Sequence, residues 1–234
     1  MSGLASSPAA TSGWGRSCAP TIRCAGATRW SRSSRRTTST PKECANVAEF
    51  ALTPRSPLDG YRRDFATARL AERTGFSLLS LAIPRGGEAL ARSTLETVCG
   101  CTPPPPGQSV PTGAGDRIIW SAPDQLFAVL APRGDGETAR AMTAMKAAFY
   151  VTDQSDNWAM LGLAGRGARA ALERICPLDL HDTRFPVNAA ARTVMHHMGA
   201  FLVREGEEDW LLMSAASMAH SFLHAVELSL LWTS

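Results

Sequence analysis

Apolar runs of strand length alternate with stretches of helical period, in an order that occurs twice along the chain. That order restricts the fold more than any other feature of the sequence. Phe76 to Ile83 (FSLLSLAI) is a short apolar run stopped by Pro84, which suits a buried strand. Gly87 to Val98 follows, with Leu90, Leu95 and Val98 on a helical stripe. Four consecutive prolines, Pro103 to Pro106, mark the loop from Thr102 to Gly115 as an extended surface spacer. Asp116 to Ala122 and Leu126 to Leu130 flank Pro123-Asp124-Gln125 and read as a hairpin. Glu137 to Phe149 is predicted helical because Ala141, Met142, Met145, Ala148 and Phe149 share one face, and Tyr150 to Asp153 then resumes extended structure. Residues 76–154 thus spell β-α-β-β-α-β, the ferredoxin-like succession.

The second half repeats it. Trp158 to Leu163 is a strand, and Gly165-Arg166-Gly167 turns it into a helix carrying Ala168, Ala171, Leu172 and Ile175 on one side, ended by Cys176-Pro177. Arg192 to Arg204 reads as one long strand, with Asp209 to Met213 returning beside it after the turn at Gly206. Ser214 is placed to cap a closing helix whose buried face holds Ala219, Phe222, Leu223, Val226 and Leu230. The expected fold class is α+β, with two ferredoxin-like βαββα modules, 75–154 and 155–234, packed together in the manner of an aminomethyltransferase or folate-binding domain.

Ahead of these modules the composition changes. Fifteen of the first 41 residues are Ser or Thr, six are Arg and none is acidic, with no apolar period of either kind. Such a segment cannot bury enough surface to offset its ordering entropy. Its Arg-rich, Ser-rich start fits a transit peptide, and no apolar stretch suggests secretion. The reading preferred here is that residues 1–46 are a disordered or spurious extension, with Val47 the true start from an alternative initiation codon. Residues 47–74 are extended and turn-rich, then weakly helical through Phe65 to Glu72, and are expected to form an extended docking arm on a neighbouring surface.

The formal charge of +3 sums unlike parts, because the seven basic residues and one acid of residues 1–45 leave the remainder at −3. A slightly acidic body argues against an electrostatic nucleic-acid binder. With no run approaching about 20 apolar residues, a membrane-spanning helix is not expected. Six irregularly spaced cysteines make no disulfide framework and fit a reducing compartment. Cys99 and Cys101 lack the second close pair of a zinc ribbon.

Reactive constellations are sparse. No dinucleotide or phosphate-loop fingerprint is present, and the glycines at 162, 165 and 167 have the wrong spacing for one. His220, His224 and Glu227 could line one helical stripe as metal ligands do, but a solvated or partner-facing stripe is the preferred reading. His196 and His197, adjacent in the predicted strand, point to opposite faces. Asp153, Asp156 and Asn157 cluster between the modules, where turn capping is favoured over orienting an amine or a pterin ring. Trp120 and Trp158 are expected as core or interface aromatics. No catalytic, cofactor-binding or metal-binding residue is assigned.

WAMLGLAGRGARAALERICPLDLH from Trp158 to His181, and FPVNAAARTVMHHMGAFLVREGEEDWLLMSAASMAHSFLHAVE from Phe185 to Glu227, resemble the gamma subunits of bacterial heterotetrameric sarcosine oxidases. IIWSAPDQLFAVLAP, VTDQSDNWAML and the SPLDGY near residue 56 resemble the same family, so the likeness runs over about residues 47–229. Its most specific piece is Cys176, Pro177, Leu178, Asp179, Leu180 and His181 followed by Phe185 and Pro186, taken as family motif and candidate interface. Asp182 stands where many members have proline, and Arg166 where the wider group of folate-binding relatives does; that group includes the aminomethyltransferase of the glycine cleavage system.

The resemblance implies a cytoplasmic bacterial complex that oxidises sarcosine to glycine, passes the one-carbon unit to tetrahydrofolate and delivers electrons through flavins to dioxygen, giving hydrogen peroxide. It implies an oxidoreductase acting on CH-NH donors, with FAD, FMN, NAD and tetrahydrofolate on the alpha and beta chains and zinc on the delta chain. The gamma chain would itself bind no cofactor and be structural, with the alpha, beta and delta subunits as partners and neither nucleic acid nor membrane. The competing reading is a free-standing folate-binding enzyme or sensor of the aminomethyltransferase type.

Overall fold

The computed structural model describes residues 55–233 apart from 114 and 135; the extension expected over 1–46 and the first part of the arm, 47–54, lie outside the described residues. The chain forms β1 (Arg62–Asp64), β2 (Arg69–Glu72), β3 (Ser77–Ala82), α1 (Glu88–Cys99), β4 (Ser109–Pro111), β5 (Arg117–Ala122), β6 (Gln125–Leu130), α2 (Glu137–Met145) and β7 (Tyr150–Asp153). It continues through β8 (Trp158–Ala164), α3 (Ala168–Ile175), β9 (Ala190–Met195), β10 (Met198–Arg204), β11 (Asp209–Ala215) and α4 (Ala219–Thr233). The strands make two antiparallel sheets, β4-β5-β6-β3-β7 and β1-β2-β8-β11-β10-β9.

Period-two alternation makes both sheets two-faced. Along β6, Leu126, Ala128 and Leu130 join a core with α1 and α2, whereas Phe127 and Val129 turn the other way. Along β11, Trp210 and Leu212 face α3 and α4, whereas Leu211 and Met213 turn inward. The inward faces meet in a third core, where Leu78, Ile119 and Phe127 of one sheet pack on Met160, Phe201, Val203 and Met213 of the other. The result is four layers, helices on sheet on sheet on helices, and each large side chain fully buried there contributes about 2–3 kcal/mol.

Several expectations change. The segment read as a weakly helical docking arm is, over 62–72, a β-hairpin on this chain's own second sheet, with Leu70 opposite Leu163 and Arg69 opposite Ala164. It takes the place beside β8 that β7 takes beside β3, while β10-β11-β8 repeats the order β5-β6-β3. The second sheet therefore draws on residues outside 155–234. The predicted long strand from Arg192 to Arg204 is two strands joined at His196 and His197, whose φ values of 45° and 73° make a two-residue turn between Met195 and Met198. Neither histidine lies in a strand.

The proline loop is more than a spacer. It contains β4, and Gln108 forms a bridge to Ala189 beside β9, tying the two sheets along one side. Helix α2 stops at Met145, so Ala148 and Phe149 are buried from the turn that follows it. Ser214 lies within β11 and donates to the Gly199 carbonyl at 2.9 Å rather than capping α4. On α1, Ala91 and Leu95 are the buried residues, while Leu90 and Val98 are exposed.

Candidate functional site

Two clusters of charge are built into the body. The first lies where the end of β10 meets β5 and the residue after β2. Glu205 accepts from Arg73 in a bidentate pair, Nη1 to Oε1 at 3.2 Å and Nη2 to Oε2, and lies 3.3 Å from Arg117 Nε. Arg117 also donates to Ser109 Oγ at 2.8 Å and Asn188 Oδ1 at 3.0 Å. Burial pulls the Arg117 guanidinium below its ordinary range, and Glu205 offsets part of that effect. Gly162 makes the room: a Cβ there would sit 3.0 Å from Arg73 Nε.

The second cluster borders a cavity of about 540 Å³ between the start of α3, the loop after His181 and the β10–β11 turn. Arg204, whose side chain is only 7% exposed, lies 2.7 Å from Asp182. It donates to the carbonyls of Gly206 at 3.2 Å, Phe185 at 2.9 Å and Glu207 at 2.8 Å. Its guanidinium lies over the Trp210 ring at 5.3 Å, and Phe185 stacks on the same indole at 5.9 Å. The hydrogen bond from Arg204, with Arg169 nearby, holds the Asp182 carboxyl below the usual carboxylate range. Asp182, at a position where the resemblance expects proline, thus supplies a carboxylate that bridges α3 to β10. Trp210 Nε1 is buried without a partner among the described residues.

The motif that singled out 176–186 splits by burial. Cys176, Leu180 and Phe185 are buried in the core beneath α3 and α4, Leu178 is half-buried against it, and Pro177, Asp179, His181 and Pro186 are exposed. Asp179 accepts from the His181 backbone N–H at 3.0 Å, and His181 Nδ1 pairs with Thr183 Oγ1 at 2.9 Å.

His220 and His224 are exposed on α4, while Glu227 accepts from the Tyr61 hydroxyl at 2.5 Å and Arg63 Nη1 at 3.0 Å. Among the described residues no group of three or more His, Cys, Asp or Glu could hold a metal ion. Asp153 caps a turn, accepting from the backbone N–H and hydroxyl of Ser155. Asn157 bonds Gln154. Trp120 and Trp158 are half-buried against two of the cores. Burial, with Cys101 and Asp116 adding, pushes the Cys99 thiol up to about 12, which leaves it unreactive at neutral pH.

Sequence reasoning missed both arginine clusters. Most of their pairings join distant parts of the chain, and the only local signal was arginine at the ends of otherwise apolar strands. What the two arrangements do chemically is bind segments of this chain together, since nearly every buried donor and acceptor in them is taken by another.

No family model matches the chain. A sarcosine oxidase subunit gamma of Corynebacterium sp. (strain P-1) is 33% identical over 111 residues, covering 47% of this chain and 54% of that protein. Another from Arthrobacter sp is 30% identical over 119 residues, covering 50% and 58%. The chain thus spans a little over half the length of the curated relatives it matches. Among solved structures, the heterotetrameric sarcosine oxidase from Corynebacterium sp. U-96 in complex with pyrrole 2-carboxylate has a chain that aligns with a TM-score of 0.66 at 22% identity. That alignment covers 77% of this chain and 96% of that one. Glycine cleavage system aminomethyltransferase T from Bartonella henselae aligns with a TM-score of 0.51 at 16% identity, over 69% of this chain and 46% of that one. The resemblance to gamma subunits read from the sequence is borne out by these matches, and the two structures show a shared mixed α/β fold.

Proposed function

We propose that this chain is a gamma-type subunit of a sarcosine oxidase complex, that it serves as a scaffold, and that turnover takes place on sister chains. The observation that carries the reading is the likeness to gamma subunits at 30–33% identity, supported by the fold shared with a chain of a heterotetrameric sarcosine oxidase. The geometry supports a scaffold in particular, because Arg73, Arg117, Glu205, Arg204 and Asp182 spend their charges on one another and on backbone carbonyls. The mixed α/β fold, with its second sheet completed by the hairpin at 62–72, is consistent with a pair of ferredoxin-like modules.

In such a complex the sister alpha, beta and delta chains would hold FAD, FMN, NAD, tetrahydrofolate and zinc, and sarcosine would be converted to glycine with release of hydrogen peroxide. The exposed members of the 176–186 run, Pro177, Asp179, His181 and Pro186, are the part of that motif open to a partner.

The second reading, a free-standing folate-binding protein, draws on the aminomethyltransferase-like fold and on the unpartnered Trp210 Nε1 beside an open cavity. Calorimetry of the purified chain with tetrahydrofolate separates the two. A scaffold gives no binding heat and no sarcosine-dependent peroxide by itself, and retains its sister chains when tagged and co-expressed with them. Micromolar binding of tetrahydrofolate by the chain alone, with no sister chain retained, contradicts the subunit reading.

A further inference from the structure

One groove, of about 260 Å³, opens where the end of the α2–β7 connection meets the turn before α1. Pro84, Leu90, Ala147 and Tyr150 give it apolar walls, Arg85 and Lys146 stand at its lining, and no carboxylate is among the residues that line it. Leu90 is 54% exposed and Tyr150 is 72% exposed, so two large apolar side chains face out at one place. The side chains of Arg85 and Lys146 have no partner among the described residues.

Tyr150 also begins β7, the outer strand of its sheet, which pairs with β3 on one side and with no other strand of the described chain. Outer strands are commonly blunted by shortness, charged residues, proline or a bulge. β7 reads Tyr-Val-Thr-Asp: it is short and ends in a carboxylate, but Tyr150, Val151 and Thr152 have high strand propensity and no lysine or proline interrupts them. A free strand edge, an apolar recess at its start and two unspent cations beside that recess therefore coincide.

We propose that this edge and groove together receive an extended segment of a partner polypeptide. The segment adds a strand beside β7 and seats an apolar side chain, flanked by carboxylates, between Leu90 and Tyr150. Backbone pairing supplies affinity, the recess selects one apolar side chain, and Arg85 with Lys146 selects acidic neighbours. The inference rests on the reading of the chain as a subunit, and the partner is then one of its sister chains.

The test co-expresses the tagged chain with the candidate alpha, beta and delta chains. It uses the wild type, the double variant Arg85→Glu/Lys146→Glu, and a form with the photo-crosslinking residue p-benzoylphenylalanine in place of Tyr150. The proposal requires that irradiation join position 150 to an acidic, extended stretch of a sister chain. It also requires that the double variant recover at least about tenfold less of that chain at an unchanged urea midpoint. Should the double variant unfold more easily, Leu90→Glu takes its place with the same required loss. An undiminished complex, or a crosslink that falls elsewhere, overturns the groove and leaves the subunit reading standing. Failure of the wild type to retain any sister chain overturns the subunit reading, and the groove with it.

Discussion

Glu205 pairs with two guanidiniums between the sheets, and its loss leaves both without their carboxylate in a place that water reaches poorly. Removing one partner from such a set costs more than the set contributes, because the remaining charges stay desolvated. Glu205→Ala is therefore expected to lower stability by about 3 kcal/mol in urea denaturation. A loss within experimental error would mean that water, rather than Glu205, satisfies the arginines. Tyr61 makes a pH-dependent contribution of the same local kind. Burial first, then the hydrogen bond to Glu227 and its negative charge, raises the phenol from 10.0 to about 12. The folded chain keeps that proton above the pH at which the unfolded chain releases it. The unfolded state then binds fewer protons, and stability falls as pH rises from about 10 through 12. Tyr61→Phe is expected to flatten that part of a thermal-midpoint profile and, because it also removes the hydrogen bond to Glu227, to lower the midpoint at neutral pH. An unaltered alkaline limb would show that the hydroxyl is already in water.

At the scale of elements the hairpin of β1 and β2 decides how the second sheet is completed, and glycines let it dock. Glu72 anchors its approach by accepting from Ser56 Oγ at 2.8 Å and from the N–H groups of Leu58 at 3.0 Å and Gly60 at 2.7 Å. The hairpin's own turn lies on the strand-to-helix turn after β8. A Cβ on Gly165 would fall 2.6 Å from the Thr67 carbonyl oxygen, and one on Gly167 would fall 2.0 Å from Thr67 Oγ1. Gly167→Ala is accordingly expected to destabilise by about 2 kcal/mol, with much of that loss absent in a Thr67→Gly background. Equal losses in the two backgrounds would place the strain somewhere other than this contact. None of this was visible in the local pattern. Arg69–Glu72 is short, polar on one face and preceded by prolines, and its strand character comes from Leu163 and Ala164, more than ninety residues away. The His196-His197 turn carries no local signal for a different reason: two-residue hairpins usually hold Gly or Asn, and histidine adopts positive φ less often than either.

For the whole molecule, the parts legible in the sequence were those whose partners are near or whose alternation is strict. Leu126 to Leu130 reads as a strand because each residue goes to one core or the other. The Pro123-Asp124 turn fixes its register against β5. The helix after Gly167 shows through Ala168, Ala171 and Leu172, all buried. The motif over 176–186 was legible as a family likeness, but its division into buried Cys176, Leu180 and Phe185 and exposed Pro177, Asp179 and His181 needed the packing of α3 and α4. On the proposed reading, the inward-turned arginine clusters stiffen the layered body and the open strand edge of β7 is left for another chain. The most direct test is the native mass of whatever is purified through a tag on this chain after co-expression with the three candidate sister chains. The account predicts an assembly containing one copy of each of the four. A tagged chain that emerges at its own mass, while the other three assemble without it, would contradict the account.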